Sequence, residues 1–559
     1  MNYRPENPLV VQSDRTILLE VNNEKFTEAR NLLCSFAELE RSPEHIHTYR
    51  ISPLSLWNSA AAGHDPNGII SALEELSKYP VPQNVIYEIE NWMSRWGALQ
   101  LLPHKDGYVL RSSSASLMKE VLSNKNAARY VISELGKDTA LVNPAMRGHL
   151  KLELIKIGWP IEDLAGYKEG AEFNITLRDT AVSGSPFTLR TYQKLSADAF
   201  TAGGTERGGA GVICLPCGAG KTIVGIEAMR QIRKKTLILT TNTVASRQWK
   251  AELLDKTEIN EDDIGEYSGE IKNIRPITIA TYQILTHRKT KKSDFVHYDL
   301  FNSEDWGLII YDEVHLLPAP VFRFTAELQS RRRLGLTATL VREDNREADV
   351  FSLIGPKKFD IPWRDLEASG WIASADCIEI RIPLNQDLED EYAVSTDRDK
   401  FRIAAENSQK LTVLLKLLER HKGDHILVIG QYLDQLGEIA RLTKAPLLTG
   451  QTSNKERQRL YQEFRDGLIP VLIVSKVANF AIDLPDANVA IEVSGLFGSR
   501  QEEAQRLGRI LRPKEKNNKA YFYVLVSRNT IEEIFAQKRQ LFLVEQGYKY
   551  DIELSDDIL

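Results

Sequence analysis

Residues 216–222, Pro216, Cys217, Gly218, Ala219, Gly220, Lys221 and Thr222, combine small, backbone-permissive positions with one lysine and one hydroxyl. Such a loop can hold a polyphosphate: backbone N–H groups and the N-terminus of the following helix face phosphate oxygens, Lys221 reaches the terminal phosphates and Thr222 binds Mg2+. A β-branched run over 211–215 leads into it, and Val224, Ile226 and Met229 continue it at helical spacing, which is the strand-loop-helix context this chemistry needs. Leu215 stands where the strict pattern has glycine, so an ordinary glycine-rich strand-to-helix turn is the competing reading. A second signal follows about 90 residues on, where the apolar run 308–311 ends in Asp312, Glu313, Val314 and His315. At the carboxyl end of a buried strand, Asp312 can hold Mg2+ through water and Glu313 can orient or deprotonate an attacking water. Gln505, Arg506, Leu507, Gly508, Arg509, Ile510, Leu511 and Arg512 form the third signal. On one helix Arg509 and Arg512 share a face, as a γ-phosphate clamp from a second domain requires, although near Lys514, Lys516 and Lys519 a solvated basic face is the plain alternative.

These groups need sheets to present them. Short β-branched runs at 211–215, 236–241, 277–281 and 307–311 alternate with helical stretches, and a second series runs through 426–429, 471–475, 489–493 and 521–526. Two such series predict two parallel-sheet domains in tandem. The first third lacks phosphate-binding glycines. It begins with a strand at 16–21 and a helix over 25–39, followed between 53 and 96 by three amphipathic stretches, of which 84–96 carries Val85, Ile89, Trp92 and Trp96. Asp106-Gly107 then marks a hairpin turn, and three helices followed by a hairpin suggest a winged helix, or equally a helical domain that only packs on the rest. A smaller unit follows, with an apolar run at 139–142 and a helix over 147–157, and the turn-rich Ser183-Gly184-Ser185-Pro186 reads as the linker into the α/β part.

A chain of 559 residues exceeds one core, and 42% hydrophobic with 26% charged residues is ordinary globular usage that excludes collagenous, mucin-like or mostly disordered chains. With 71 Lys+Arg against 77 Asp+Glu the net charge is −6, so any nucleic-acid surface must be local. Four cysteines are too few for a disulfide framework, and no apolar run has the length of a membrane span or signal segment; the expectation is a soluble, reduced, cytoplasmic protein without a membrane partner. Cys214 and Cys217 have the spacing of a metal or redox pair, but no second pair accompanies them. His287, Arg288, Lys289, Lys291 and Lys292 can meet a DNA backbone or form a solvated loop, and Trp249 can stack on a base or, more commonly for its type, pack against a sheet.

In order along the chain, LRTYQ at 189–193, PCGAGKT, TNTVASRQW at 241–249, Thr281-Tyr282, DEVH, TAT at 337–339, SKVANFAIDLP at 475–485 and QRLGRILR resemble the motifs of superfamily 2 helicases. The helicase variant of the phosphate loop does not need the glycine that Leu215 replaces. GLTATLVREDNREADVFSLIGPK and FGSRQEEAQRLGRILRPK are similar to the XPB family of DNA repair helicases, and PLVVQSDRTILLEV, FAELERSPEHIHTYR and KIGWPIEDLAGY extend the resemblance, in its bacterial branch, over essentially the whole chain. The resemblance implies ATP and Mg2+ as cofactors, 3′-to-5′ movement on single-stranded, forked or duplex DNA, and a small damage-recognition-like domain before the motor. It implies Arg190 and Gln193 at the nucleotide, Gln193 on adenine; Lys221 on the phosphates; Thr222 and Asp312 on Mg2+; Glu313 on the water. His315, Thr337, Thr339 and Asp483 would couple nucleotide state to the DNA grip, Gln505, Arg509 and Arg512 would close from the second domain, and Arg342, Glu343 and Asp344 would separate strands. The basic thumb of archaeal and eukaryotic relatives has no counterpart between 384 and 408, which is acidic at 387–391.

The expected architecture is α/β: a winged-helix-like accessory domain at 1–115, a damage-recognition-like domain at 116–185, and RecA-like domains at 186–376 and 377–559. The expected function is an ATP-dependent DNA helicase of repair. A duplex translocase that remodels protein–DNA complexes without unwinding is the alternative enzyme, and a nucleotide-controlled interaction protein the alternative class. Any strand cutting would come from a nuclease or other repair partner.

Overall fold

The computed structural model describes residues 3–42, 45–216, 218–269, 271–287, 300, 304–317, 321, 325, 331–338, 346–361, 366, 374–475, 487–495, 519–545 and 550–558. Four sheets organise them. The first contains β1 (Leu9–Val11), β2 (Thr16–Glu20), β3 (Glu38–Arg41) and β4 (Ile46–Arg50), all antiparallel, in the order β1-β2-β4-β3. Three helices pack with it. Ser52 caps Pro53–Ala61 and Asp65 caps Pro66–Leu76, each with proline in the first turn, and Gln83–Arg95 completes the group. Leu9, Leu19, Leu33, Leu56, Leu73 and Ile89 share one core. The helix expected over 25–39 is Phe26–Cys34, because Leu39 turns inward on β3 and pairs with Tyr49 instead of extending the helix.

The second sheet contains β5 (Leu99–His104), β6 (Gly107–Ser112), β7 (Val131–Glu134), β8 (Thr139–Val142) and β9 (Ile161–Asp163), in the order β7-β8-β6-β5-β9. The hairpin at Asp106-Gly107 is present, with His104 paired to Gly107, but it is not a wing on the preceding helices. β6 pairs with β8 and β5 with β9, and Leu101 and Leu110 share a core with Val121, Ala140, Leu150 and Leu154. The boundary expected at 115/116 therefore runs through one sheet and one core. The division falls before β5, because a hairpin with apolar residues on its inner face joins whichever core lies beneath it.

The third sheet contains β10 (Ala210–Cys214), β11 (Thr236–Thr240), β12 (Ile264–Tyr267), β13 (Ile277–Thr281), β14 (Leu308–Asp312), β15 (Arg332–Thr337) and β16 (Lys357–Asp360). Its order is β12-β13-β11-β14-β15-β10-β16 and every pairing is parallel. The fourth repeats this plan with β17 (Ser374–Ile382), β18 (Ile426–Gly430), β19 (Leu447–Leu448), β20 (Val471–Ser475), β21 (Val489–Glu492), β22 (Lys519–Ser527) and β23 (Tyr550–Leu554), ordered β19-β20-β18-β21-β22-β17-β23 and again parallel. Two RecA-like α/β domains in tandem are thus present. β17 begins at Ser374, ahead of the expected 377.

The expected start of the motor at 186 is also late. The Ala171 N–H donates to Asp305 O at 2.8 Å, Lys235 N–H to Ala171 O at 2.8 Å, Phe173 N–H to Arg233 O at 3.1 Å and Arg178 N–H to Lys256 O at 2.9 Å. Ile175 is buried in the core of the first RecA-like domain, so the residues ahead of the Ser-Gly-Ser-Pro turn already belong to it. Trp57, Trp96 and Ile155 meet Phe351 in a separate apolar cluster that seats both accessory units on this domain. Among the described residues no helix is long and apolar enough to cross a membrane.

Candidate active site

In a parallel sheet all carboxyl ends lie along one edge, and the strand order brings the chemistry together there. β15 lies between β14 and β10, with Cys214 paired to Thr337 and Asp312 to Leu336. The phosphate loop leaves β10, Asp312 ends β14 and Thr337 ends β15. About 90 residues of sequence separation between loop and acidic pair thus become a gap of a single strand.

Gly218 and Gly220 have φ of 81° and 80°, left-handed values that turn the loop over the start of the helix Lys221–Ile232. A Cβ on Gly220 would stand 2.6 Å from Gln193 Nε2 and displace that amide, while the left-handed backbone is what favours glycine there. The helix Thr191–Thr201 supports the loop from below: Tyr192 Oη donates to Ala219 O at 2.7 Å and Gln193 Nε2 donates to the same oxygen at 3.1 Å. Gln193 Oε1 accepts the Arg190 N–H at 3.0 Å, and the Arg190 guanidinium reaches Tyr192 Oη at 3.1 Å. One donor and one lone pair of the Gln193 amide are used within the fold, which leaves a second N–H and a second lone pair for adenine. Pro216 is buried, and Thr222 is the second residue of the helix.

Lys221 Nζ lies 3.1 Å from Glu313 Oε1, at side-chain exposures of 11% and 20%. His315 Nδ1 lies 3.3 Å from Glu313 Oε2 and 2.7 Å from Thr337 Oγ1. A continuous polar chain therefore runs from the phosphate loop through the acidic pair to the end of β15. Glu313 itself has φ of 51°, a left-handed conformation that a non-glycine residue adopts at a cost of about 1–3 kcal/mol. That turn lets its carboxylate face Lys221 and His315 while Asp312 stays aligned with the strand.

The two carboxylates are driven apart electrostatically. Burial, reinforced by the Glu313 charge, pushes the Asp312 carboxyl up to about 6. Burial also acts on Glu313, but Lys221, His315 and the Ala338 N–H outweigh it and hold that carboxyl below its ordinary value. Asp312 is thus a carboxylate short of positive charge, which a divalent cation would supply, while Glu313 is kept ionised. Left-handed glycines that open a cradle, a shielded lysine and this unbalanced carboxylate fit a nucleoside triphosphate with Mg2+.

Two further contacts escaped sequence reading. Trp249 Nε1 donates to Asp312 Oδ2 at 2.9 Å, and Tyr282 Oη donates to Asp312 O at 2.8 Å. Trp249 is 1% exposed and packs in the core, which removes it from base stacking. Both residues lie in TNTVASRQW and Thr281-Tyr282, so their motifs were visible although their partner was not. Cys214 is buried inside β10, where burial pushes its thiol up. Cys217, Thr339, Arg342, Glu343, Asp344, Asp483, Gln505, Arg509 and Arg512 lie outside the described residues, as do 288–292 of the basic cluster. Segments 476–486 and 496–518, which hold the last four, follow the carboxyl ends of β20 and β21.

Family models match three stretches: Type III restriction enzyme, res subunit, at residues 186–342; ERCC3/RAD25/XPB C-terminal helicase at 366–556; and a helicase conserved C-terminal domain at 9–136. The chain is similar to the DNA 3′-5′ helicase XPB of Kineococcus radiotolerans, at 53% identity over 99% of this chain and 97% of that protein. It is similar also to the DNA 3′-5′ helicase XPB of Mycobacterium tuberculosis, at 52% identity over 99% of each. Among solved structures, the ATP-dependent Type ISP restriction-modification enzyme LlaBIII bound to DNA shares the fold, with a TM-score of 0.50 at 12% identity over 66% of this chain and 31% of that one.

Proposed function

The chain belongs to the XPB family of DNA 3′-5′ helicases, and from that membership we propose that it couples ATP hydrolysis to 3′-to-5′ movement on DNA, unwinding it in repair. The observation that carries this reading is the polar chain Lys221–Glu313–His315–Thr337, which joins a phosphate cradle to the strand between the two halves of the site. Mg2+ would be held by Thr222 and by Asp312 through water, and would neutralise the charge that develops on the β- and γ-phosphate oxygens.

Lys221 exchanges its bond to Glu313 for one to the terminal phosphate. Glu313, released from Lys221 and thereby made the more basic carboxylate beside His315, orients the attacking water and accepts its proton as the new P–O bond forms and the bond to the bridging oxygen breaks. His315 follows Glu313 and passes the change to Thr337, so β15 registers whether the γ-phosphate is present. Gln505, Arg509 and Arg512 complete the site from the second domain, Asp483 and Thr339 extend the coupling, and Arg342, Glu343 and Asp344 act where strands part.

ATP hydrolysis measured with single-stranded, duplex and forked DNA tests the reading, followed by displacement of a strand from a tailed duplex. Stimulation severalfold by DNA is expected, and DNA-independent hydrolysis would support a nucleotide-controlled scaffold instead. One observation keeps the duplex translocase in play: the segment after β17 forms helices Gln386–Val394 and Asp397–Ala405, the first exposing Asp387, Glu389, Asp390 and Glu391 to solvent. A triplex-displacement assay run alongside separates the two, because a translocase without unwinding displaces the third strand and leaves the tailed duplex intact.

A further inference from the structure

We infer that Trp249 is a positioning residue for ATP hydrolysis, its indole N–H fixing the orientation in which the Asp312 carboxylate meets the metal-bound water. The inference rests on the assignment of Asp312 to Mg2+ made above. A buried indole N–H must find an acceptor, and a backbone carbonyl is sufficient. Trp57 and Trp306, both buried, follow that rule by donating to Trp92 O and Leu300 O, each at 3.0 Å. Trp249 instead donates to an ionisable side chain, Asp312 Oδ2, at 2.9 Å.

The ring is also clamped from the other side. Gly225 lies in the helix that Lys221 opens, and a Cβ there would overlap the Trp249 ring edge and crowd Leu336 Cδ1 at 3.3 Å. The helix Thr243–Lys256 thus carries an indole that spans from the phosphate-loop helix to the end of β14. Tyr282 fixes the Asp312 backbone through its carbonyl, which leaves side-chain rotation as the freedom that Trp249 removes. Asp312 is then held in one rotamer before any nucleotide arrives, and no reorganisation is needed when the metal-bound water docks.

The test uses the full-length chain and two substitutions with opposite chemistry. Trp249→Phe keeps most of the ring and deletes the N–H; Gly225→Ala keeps the N–H and displaces the ring. Binding of a fluorescent non-hydrolysable ATP analogue is titrated with Mg2+ from an EDTA baseline, and ATPase is measured in parallel. Both variants should bind the analogue normally in EDTA, need about tenfold more Mg2+ for half-maximal binding, and lose kcat with little change in the KM for ATP. In an Asp312→Asn background Trp249→Phe should add nothing further to the Mg2+ requirement. Should Trp249→Phe fail to fold, Gly225→Ala carries the test alone. An unchanged Mg2+ titration in a folded variant, or a loss of the same size with and without the Asp312→Asn change, would reduce Trp249 to core packing. Absence of Mg2+-dependent binding in the wild type would overturn the ATP-site reading itself, a result distinct from either.

Discussion

Lys221 and Glu313 face each other at 3.1 Å, and their replacements should fail in different ways. Lys221→Ala removes the charge that offsets the terminal phosphate and should abolish turnover and DNA movement, since loop amides alone leave that charge uncompensated. Glu313→Gln keeps the left-handed backbone and side-chain shape but not the base, so it should still bind ATP and hydrolyse it at least about a hundredfold slower. Equilibrium nucleotide binding beside steady-state ATPase checks both, and near-normal turnover in either would undo the assignment. Thr337 makes a separable contribution. It bonds His315 at 2.7 Å, one link beyond the Lys221–Glu313 pair, so Thr337→Val should leave ATP hydrolysis within about threefold of wild type while strand displacement falls about tenfold or more. Rates of both on one preparation decide it, and parallel loss would place Thr337 in hydrolysis instead of coupling.

At the scale of elements, the segment ahead of the Ser-Gly-Ser-Pro turn is a strap on the first RecA-like domain. It supplies Ile175 to the core, and Phe173 and Leu177 pack against that core. Leu177 bridges to Thr257, and the Arg178 guanidinium donates to Thr257 O at 2.7 Å. Truncation at 185 removes this strap, whereas truncation at 168 keeps it. The shorter deletion should therefore yield the more stable ATPase, by several kelvin in melting temperature, and the longer one a poorly soluble chain; thermal melts of the two proteins test this. A turn-rich tetrapeptide looks like a linker whether or not the chain beside it is already packed, which is why composition placed the boundary too late.

At the scale of the whole molecule, a buried ionic cluster ties the second accessory unit to the motor. Arg147 grips Asp163 through Nε at 3.0 Å and Nη2 at 2.7 Å, and Lys151 adds a third bond at 3.0 Å. Tyr167 lies under the buried Arg333 guanidinium of β15, 5.6 Å from its ring centre. The strand proposed to sense nucleotide at its carboxyl end is thus held by the accessory unit near its start. Burial pushes the Asp163 carboxyl up, but Arg147, Lys151 and Arg333 outweigh it and hold it well below its ordinary 3.8. A carboxyl with a depressed folded value stabilises the fold fully above its unfolded value and loses that contribution as pH falls through the folded one. Asp163→Asn should cost about 3–5 kcal/mol, because it leaves Arg147 and Lys151 buried without their anion. Denaturant melts should show that deficit shrinking below about pH 4, as the wild-type carboxyl takes up its proton. A deficit that grows in acid would reverse the sign and dismiss the mechanism.

Local chemistry reached the sequence intact: the glycines of the phosphate loop, the acidic pair ending an apolar strand and the two β-branched series were legible because each depends on residues close in the chain. The α/β class and the tandem motor followed from the same signals. What the sequence left open were questions of partnership. β15 and the edge strands β12, β16, β19 and β23 carry too little periodicity to stand out, and become strands by pairing with neighbours far away. The hairpin β5–β6 could serve either accessory unit until a core claimed it. Trp249 and Asp312, 63 positions apart, meet only because β11, from which the Trp249 helix descends, lies beside β14. Short-range propensity is written residue by residue, whereas the partner of a buried polar group is chosen by strand order, which only the folded sheet decides.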